Sequence, residues 1–227
     1  MDTFRQDVSL ALRGLVRNPL FAITVVLTMA LGIGANTAIF SVVHGVLLRS
    51  LPYEHGDRMM VMRQQRPRLN IQNQGFSAKE LADFRTMSGT LEEVVEFHSM
   101  WFILLGRGEP ERVQTGVVSH NFFEAFGIKP VAGRTFRAED DQPGADAVLL
   151  LPYPYWQTPL GGEPAVVGQV CEMNDRPHTV VGVLPPIPQY PQENDVYMPV
   201  SACPFRSAPH VMNSRNGRML QAFAVMK

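Results

Sequence analysis

Signatures of catalysis and of phosphate binding are missing from this 227-residue chain. It has no Walker-type glycine loop, so it cannot hydrolyse ATP by the usual backbone cradle, and neither H-E-x-x-H nor G-x-S-x-G occurs. Six histidines, His44, His55, His98, His120, His178 and His210, are scattered without paired ligand spacing. No basic run and no aromatic-arginine pattern accompanies the net charge of −1, which argues against nucleic acid as a partner. Cysteine is nearly absent: Cys171 and Cys203 are the only two. In an oxidising compartment they could close a loop worth roughly 3–4 kcal/mol in the chain-entropy model, or stay as unpaired buried thiols, since Cys171 reads as a strand residue. The acidic run Glu139-Asp140-Asp141 reads first as a solvated turn and only second as a cation site. No catalytic residue, cofactor site or metal site is therefore assigned, and the chain reads as non-enzymatic.

Against these absences stands one long apolar run. Leu20 to Leu48 contains no Asp, Glu, Lys or Arg, and about 20 apolar residues suffice for a helix to cross a bilayer core of roughly 30 Å. Residues 20–48 are thus predicted to form a transmembrane helix. Ala30, Gly34 and Ala38 recur at i, i+4 and i+8, a stripe of small residues that lets another helix approach closely, with Asn36, Thr37 and Ser41 adding hydrogen-bonding groups. His44 lies near one end of the span, where hydration or a bond to the neighbouring turn explains it without a functional role.

Before the span, Phe4, Val8, Leu12, Leu15 and Val16 share one face of a helical wheel whose other sides carry Arg5, Asp7, Ser9 and Arg13. Residues 1–19 are predicted to be an amphipathic elbow along the membrane surface, ended by Asn18-Pro19. The apolar run is too long for a signal-peptide core of about 7 to 15 residues and no A-x-A site follows it promptly, so it is read as uncleaved. Arginines flank both ends, and long domains cross membranes largely regardless of charge, so orientation does not follow from the count.

Residues 53–227 read as an α+β domain of short elements. Met59 to Arg66 alternates as a strand, and Ser77-Ala78-Lys79-Glu80 has the capping-box form that starts a helix running to about Met87. Two short strands or one bent one are expected over Val94–Leu105, and another over Arg112–Val118. Phe122, Phe123 and Phe126 form an aromatic wedge on a short helix, worth roughly 1.5–3 kcal/mol per buried ring. Further strands are expected at Ala147–Leu151, Val166–Met173 and Thr179–Leu184, the last two joined across Asn174-Asp175-Arg176, with a short helix at Pro154–Gln157. The prolines crowded between Pro185 and Pro209 predict an extended surface path, and Ser207–Asn216 a flexible loop. Met219–Met226 is expected to begin a second lobe with an open apolar edge.

Several stretches together carry a family resemblance. Leu12-Arg13-Gly14-Leu15-Val16-Arg17-Asn18-Pro19, Leu27 to Val43 and Leu47 to Tyr53 are similar to the N-terminus of MacB/FtsX-type ABC transporter permeases, above all the acidobacterial type with a MacB-like periplasmic core domain. Val118 to Phe123 with Phe126-Gly127-Ile128, Gly133-Arg134-Thr135-Phe136, Tyr155-Trp156, Gly161 to Gly168, Val180 to Pro185 and Asp195 to Pro199 follow in the same order.

The resemblance implies a permease fragment with a porter-like periplasmic domain, incomplete here, its second lobe starting near residue 219 and three further membrane helices following. It implies a bacterial inner-membrane location, cytoplasmic N-terminus, a separate ABC ATPase, a homodimer or second permease half, and a periplasmic adaptor. On that expectation the chain couples ATPase-driven motion to an extracytoplasmic domain, for export or mechanotransmission. The alternative is a single-span, membrane-anchored extracytoplasmic binding or sensor protein.

Overall fold

The computed structural model describes residues 6, 13–14, 16–45, 53, 56–106 and 109–227. Most of the expected elbow at residues 1–19, and the end of the apolar run at 46–48, lie outside the described residues. The chain divides into two compact units, Met1–Leu51 and Pro52–Lys227.

In the first unit, helix α1 spans Pro19–Val43. Pro19 sits in its first turn, where a missing N–H costs no hydrogen bond. Its 25 residues reach about 37 Å at ~1.5 Å each, enough for a bilayer core. The helix carries no charged residue, is mostly apolar, and has no buried residue. Thr24 and Thr28 donate their hydroxyls to the carbonyls of Leu20 and Thr24 at 2.9 and 2.8 Å, so these polar atoms are satisfied within the helix.

The second unit is built from strands β1 (Met59–Met62), β2 (Gln64–Arg66), β3 (Ile71–Gln74), β4 (Leu91–Leu105), β5 (Glu111–Val118), β6 (Ala132–Gly133), β7 (Val148–Leu151), β8 (Val170–Met173), β9 (Arg176–Val183), β10 (Val196–Pro199) and β11 (Gln221–Met226). Helices α2 (Ala78–Met87), α3 (Phe122–Ala125), α4 (Tyr153–Gln157) and α5 (Pro209–Met212) lie between them. Nine of the strands form one sheet in the order β1-β11-β4-β5-β10-β7-β9-β6, with β8 bonded to both β4 and β9. That double pairing of β8 closes β4, β5, β10, β7, β9 and β8 into a ring.

Strand β4 organises the unit. Its first half pairs with β11 from Leu91 to Phe97, and its second with β5 from Phe97 to Leu104. Side chains alternate across a strand, so Val95 and Phe97 face one cluster while Phe102 and Leu104 face another. The ring encloses Phe102, Val113, Leu149, Val180 and Met198. Outside it, α3 packs the wedge of Phe122, Phe123 and Phe126 against Phe97, Tyr197 and Phe223. A third cluster joins Leu81 of α2 to Leu220, Ala222 and Ala224. Helix α2 starts at the expected capping box, with Ser77 Oγ accepting the Glu80 N–H at 3.3 Å and Glu80 Oε2 accepting the Ser77 N–H at 3.0 Å. The β8–β9 hairpin turns on Asn174 and Asp175 at φ 49° and 61°, the left-handed pair that matches strand twist.

Of the two readings of Val94–Leu105 the structure has the single strand, which starts earlier, at Leu91. Several other expectations are corrected. The proline-rich stretch is no surface path throughout: Val196–Pro199 is β10, wholly buried between β5 and β7, where Val196 and Met198 fill the ring and Pro199, as last residue, ends the strand. Ser207–Asn216 contains α5 and buries Val211. β11 has no open edge, because β1 and β4 bond to its two sides.

Candidate functional site

Ala30, Gly34 and Ala38 lie on neighbouring turns of α1, all exposed, and a Cβ built at Gly34 meets nothing within 4 Å. Asn36, Thr37 and Ser41 are exposed as well. His44 stacks on Phe40, the ring centroids 5.9 Å apart.

In the second unit a cleft of about 530 Å³ lies between α2, the start of β4, the Ser119–Glu124 segment and the loop carrying Arg206. Its floor is Glu96, a fully buried carboxylate in the stretch Val94-Val95-Glu96-Phe97 of β4. Arg206 grips both oxygens of Glu96, with Nε on one and Nη2 on the other at 2.8 Å, and Arg85 Nη2 lies 3.6 Å away. Arg85 Nε also donates to the Val94 carbonyl at 3.2 Å. Two arginines from distant segments thus neutralise one buried charge, which ties α2 and the 203–212 segment to β4.

At the rim His120 Nδ1 lies 3.4 Å from Asp141 Oδ2, and this bond is the main cause that holds the imidazole pKa above its usual value. Asp141 also accepts the backbone N–H groups of His120 and Ser201, at 3.2 and 3.1 Å. Burial, with Glu124 and Glu92 nearby, pushes the Glu93 carboxyl pKa up, although Asn121 Nδ2 donates to it at 3.1 Å. The expectation of a solvated acidic turn at Glu139-Asp140-Asp141 is corrected: the run forms a 3-10 turn in which Asp140 is buried and chelated by Arg134 Nη1 and Nη2 at 2.5 and 2.9 Å. Burial pushes the Asp140 carboxyl pKa up, but these bonds and the Arg137 N–H outweigh it and hold it below the usual range. The cleft is braced by charge pairs.

Inside the ring, His98 and His178 are buried, and burial pulls both imidazole pKa values down, that of His98 to about 4. Cys171 and Cys203 are both buried free thiols in the same core cluster. Among the described residues no three His, Cys, Asp or Glu side chains converge as a metal site would require. Sequence reasoning missed Glu96, Arg85 and Arg206; the one local signal was a glutamate inside the apolar run Val94-Val95-Glu96-Phe97.

No curated protein sequence matches the chain. The fold is similar to a domain of a candidate permease protein from Porphyromonas gingivalis, with a TM-score of 0.61 at 14% identity over 77% of each chain. It is similar also to the periplasmic region of MacB from Actinobacillus actinomycetemcomitans, with a TM-score of 0.56 at 16% identity over 74% of each chain. At these identities the likeness is one of fold. The profile of the MacB-like periplasmic core domain matches residues 22–225, from inside α1 to the end of β11, and on that match the chain belongs to the MacB-like periplasmic core domain family of ABC transporter permeases.

Proposed function

We propose that the chain is the N-terminal part of a permease subunit in which α1 crosses the bacterial inner membrane, N-terminus in the cytoplasm and residues 53–227 in the periplasm. The observation that carries this reading is the apolar, wholly unburied helix α1 at the start of the stretch that the family profile matches. A separate ABC ATPase supplies the motion, and a second permease half completes the membrane part. The stripe Ala30, Gly34 and Ala38 is where other membrane helices pack, since only small side chains allow backbones to approach so closely. A periplasmic adaptor receives the motion. The covalent route runs from α1 into β1, whose partner β11 bonds in turn to β4. A strand of 15 residues extends about 50 Å at ~3.3 Å each, so β4 acts as the rigid element that carries displacement across the domain. The protein itself does no chemistry.

The test is to purify the full-length permease with its ATPase and measure nucleotide hydrolysis with and without Gly34→Leu. The reading predicts co-purification and a loss of coupled hydrolysis in the variant. Unchanged assembly and hydrolysis would refute the packing role, and failure of any ATPase to associate would favour a single-span binding or sensor protein.

A further inference from the structure

The turn at residues 203–206 brackets one side chain of β4. Cys203 Sγ touches Met100 Sδ at 3.5 Å, and Arg206 pairs with Glu96. Glu96, His98 and Met100 point to the same face of β4 by strand alternation, so His98 lies under that turn, between its two anchor points. Burial leaves His98 6% exposed, and among the described residues neither of its ring nitrogens has a hydrogen-bond partner. An unpartnered buried imidazole is costly unless something occupies its lone pair. The neighbours are soft: a thioether and a thiol whose sulfur accepts the Arg206 backbone N–H at 3.4 Å. Thr115, cross-strand from Met100, is likewise buried with a free hydroxyl.

We propose that His98, Met100 and Cys203 form a binding site for a soft monovalent cation, Cu(I), with Ag(I) as its laboratory equivalent. Thiolate and thioether donors select such ions, and imidazole suits copper. Zinc is disfavoured because it asks for four N, O or thiolate ligands, and only two of these three groups qualify. Binding exchanges the Cys203 thiol proton, released to solvent, for the metal, with no change of oxidation state. Half-buried Met100 is the ligand that an entering ion meets first.

The experiment uses the full chain in detergent under anaerobic conditions, with Cu(I) supplied in competition with bicinchoninate and Ag(I) followed by nitrogen-15 spectra of the histidine rings. One equivalent should bind, the His98 ring resonances should shift, and Met100→Leu and Cys203→Ser should each weaken binding at least about tenfold. Cys171→Ser should bind normally. Met100→Leu keeps the side-chain shape, so it decides the question even where Cys203→Ser fails to fold. No retention against bicinchoninate, an unmoved His98 ring, or binding that depends on Cys171 and survives Cys203→Ser would overturn the proposal.

Discussion

Replacing Arg206 with methionine isolates the role of the buried pair in the cleft. The change keeps much of the aliphatic stem but leaves Glu96, which has no exposed surface, with Arg85 at 3.6 Å as its remaining cation. Breaking a buried pair from one side costs about 3–5 kcal/mol, because the stranded charge stays desolvated. Arg85 offsets part of this, so the expected loss is about 3 kcal/mol, or about 6–12 °C in Tm for a domain of this size. Trp101 and Trp156 both lie in the second unit, so urea titration followed by tryptophan fluorescence reports on it directly. The double change Arg206→Met with Glu96→Gln removes the charge as well as its partner, and should recover a large share of the loss. A single-variant cost below about 1 kcal/mol, or a double variant whose cost equals the sum of the singles, would refute the argument that the pair braces the cleft.

The aromatic wedge supplies a second prediction: Phe122 is 2% exposed and meets Phe97, Phe126 and Phe223, so Phe122→Ala should cost about 3–5 kcal/mol by the same titration. Gly182→Ala should destabilise by more than a surface change, because its Cβ would stand 2.4 Å from the Arg134 carbonyl oxygen where β6 meets β9; a stability within about 0.5 kcal/mol of wild type would contradict this. Histidine titration by NMR should separate His120 from His178. His120, raised by Asp141, should titrate above the ordinary value of about 6.5; its stabilising contribution is full below that value and is lost as pH rises through the folded pKa. His178, pulled down by burial, should titrate below it; its contribution is full above about 6.5 and is lost as pH falls toward the folded pKa.

Local signals were legible in the sequence and long-range ones were not. Ser77 and Glu80 satisfy each other within one turn, so the start of α2 could be read from four letters. The Asn174-Asp175 turn and the uncharged run of α1 are equally local. β10 was masked because its four residues sit among prolines that argue against regular structure, and what makes it a strand is burial between β5 and β7, far away in sequence. The neighbours of β11 were hidden for the same reason: β1 lies near the other end of the chain. Ring closure through β8 depends on Leu104 meeting Met173. The Glu96–Arg206 pair spans 110 positions, and no periodicity or spacing rule connects such residues. Cys171 and Cys203 could be read as a pair or as separate thiols, and the fold keeps both free within one core.

In the proposed topology α1 holds the family domain on the outer side of the membrane. Cysteines introduced at Lys129, exposed on the domain, and at Arg17, just before α1, test it with a membrane-impermeant maleimide on intact spheroplasts. Native Cys171 and Cys203 are buried and should contribute little background. In that topology Lys129→Cys is labelled at once and Arg17→Cys only after the membrane is permeabilised. The reverse pattern, or equal labelling of both positions before permeabilisation, would contradict it.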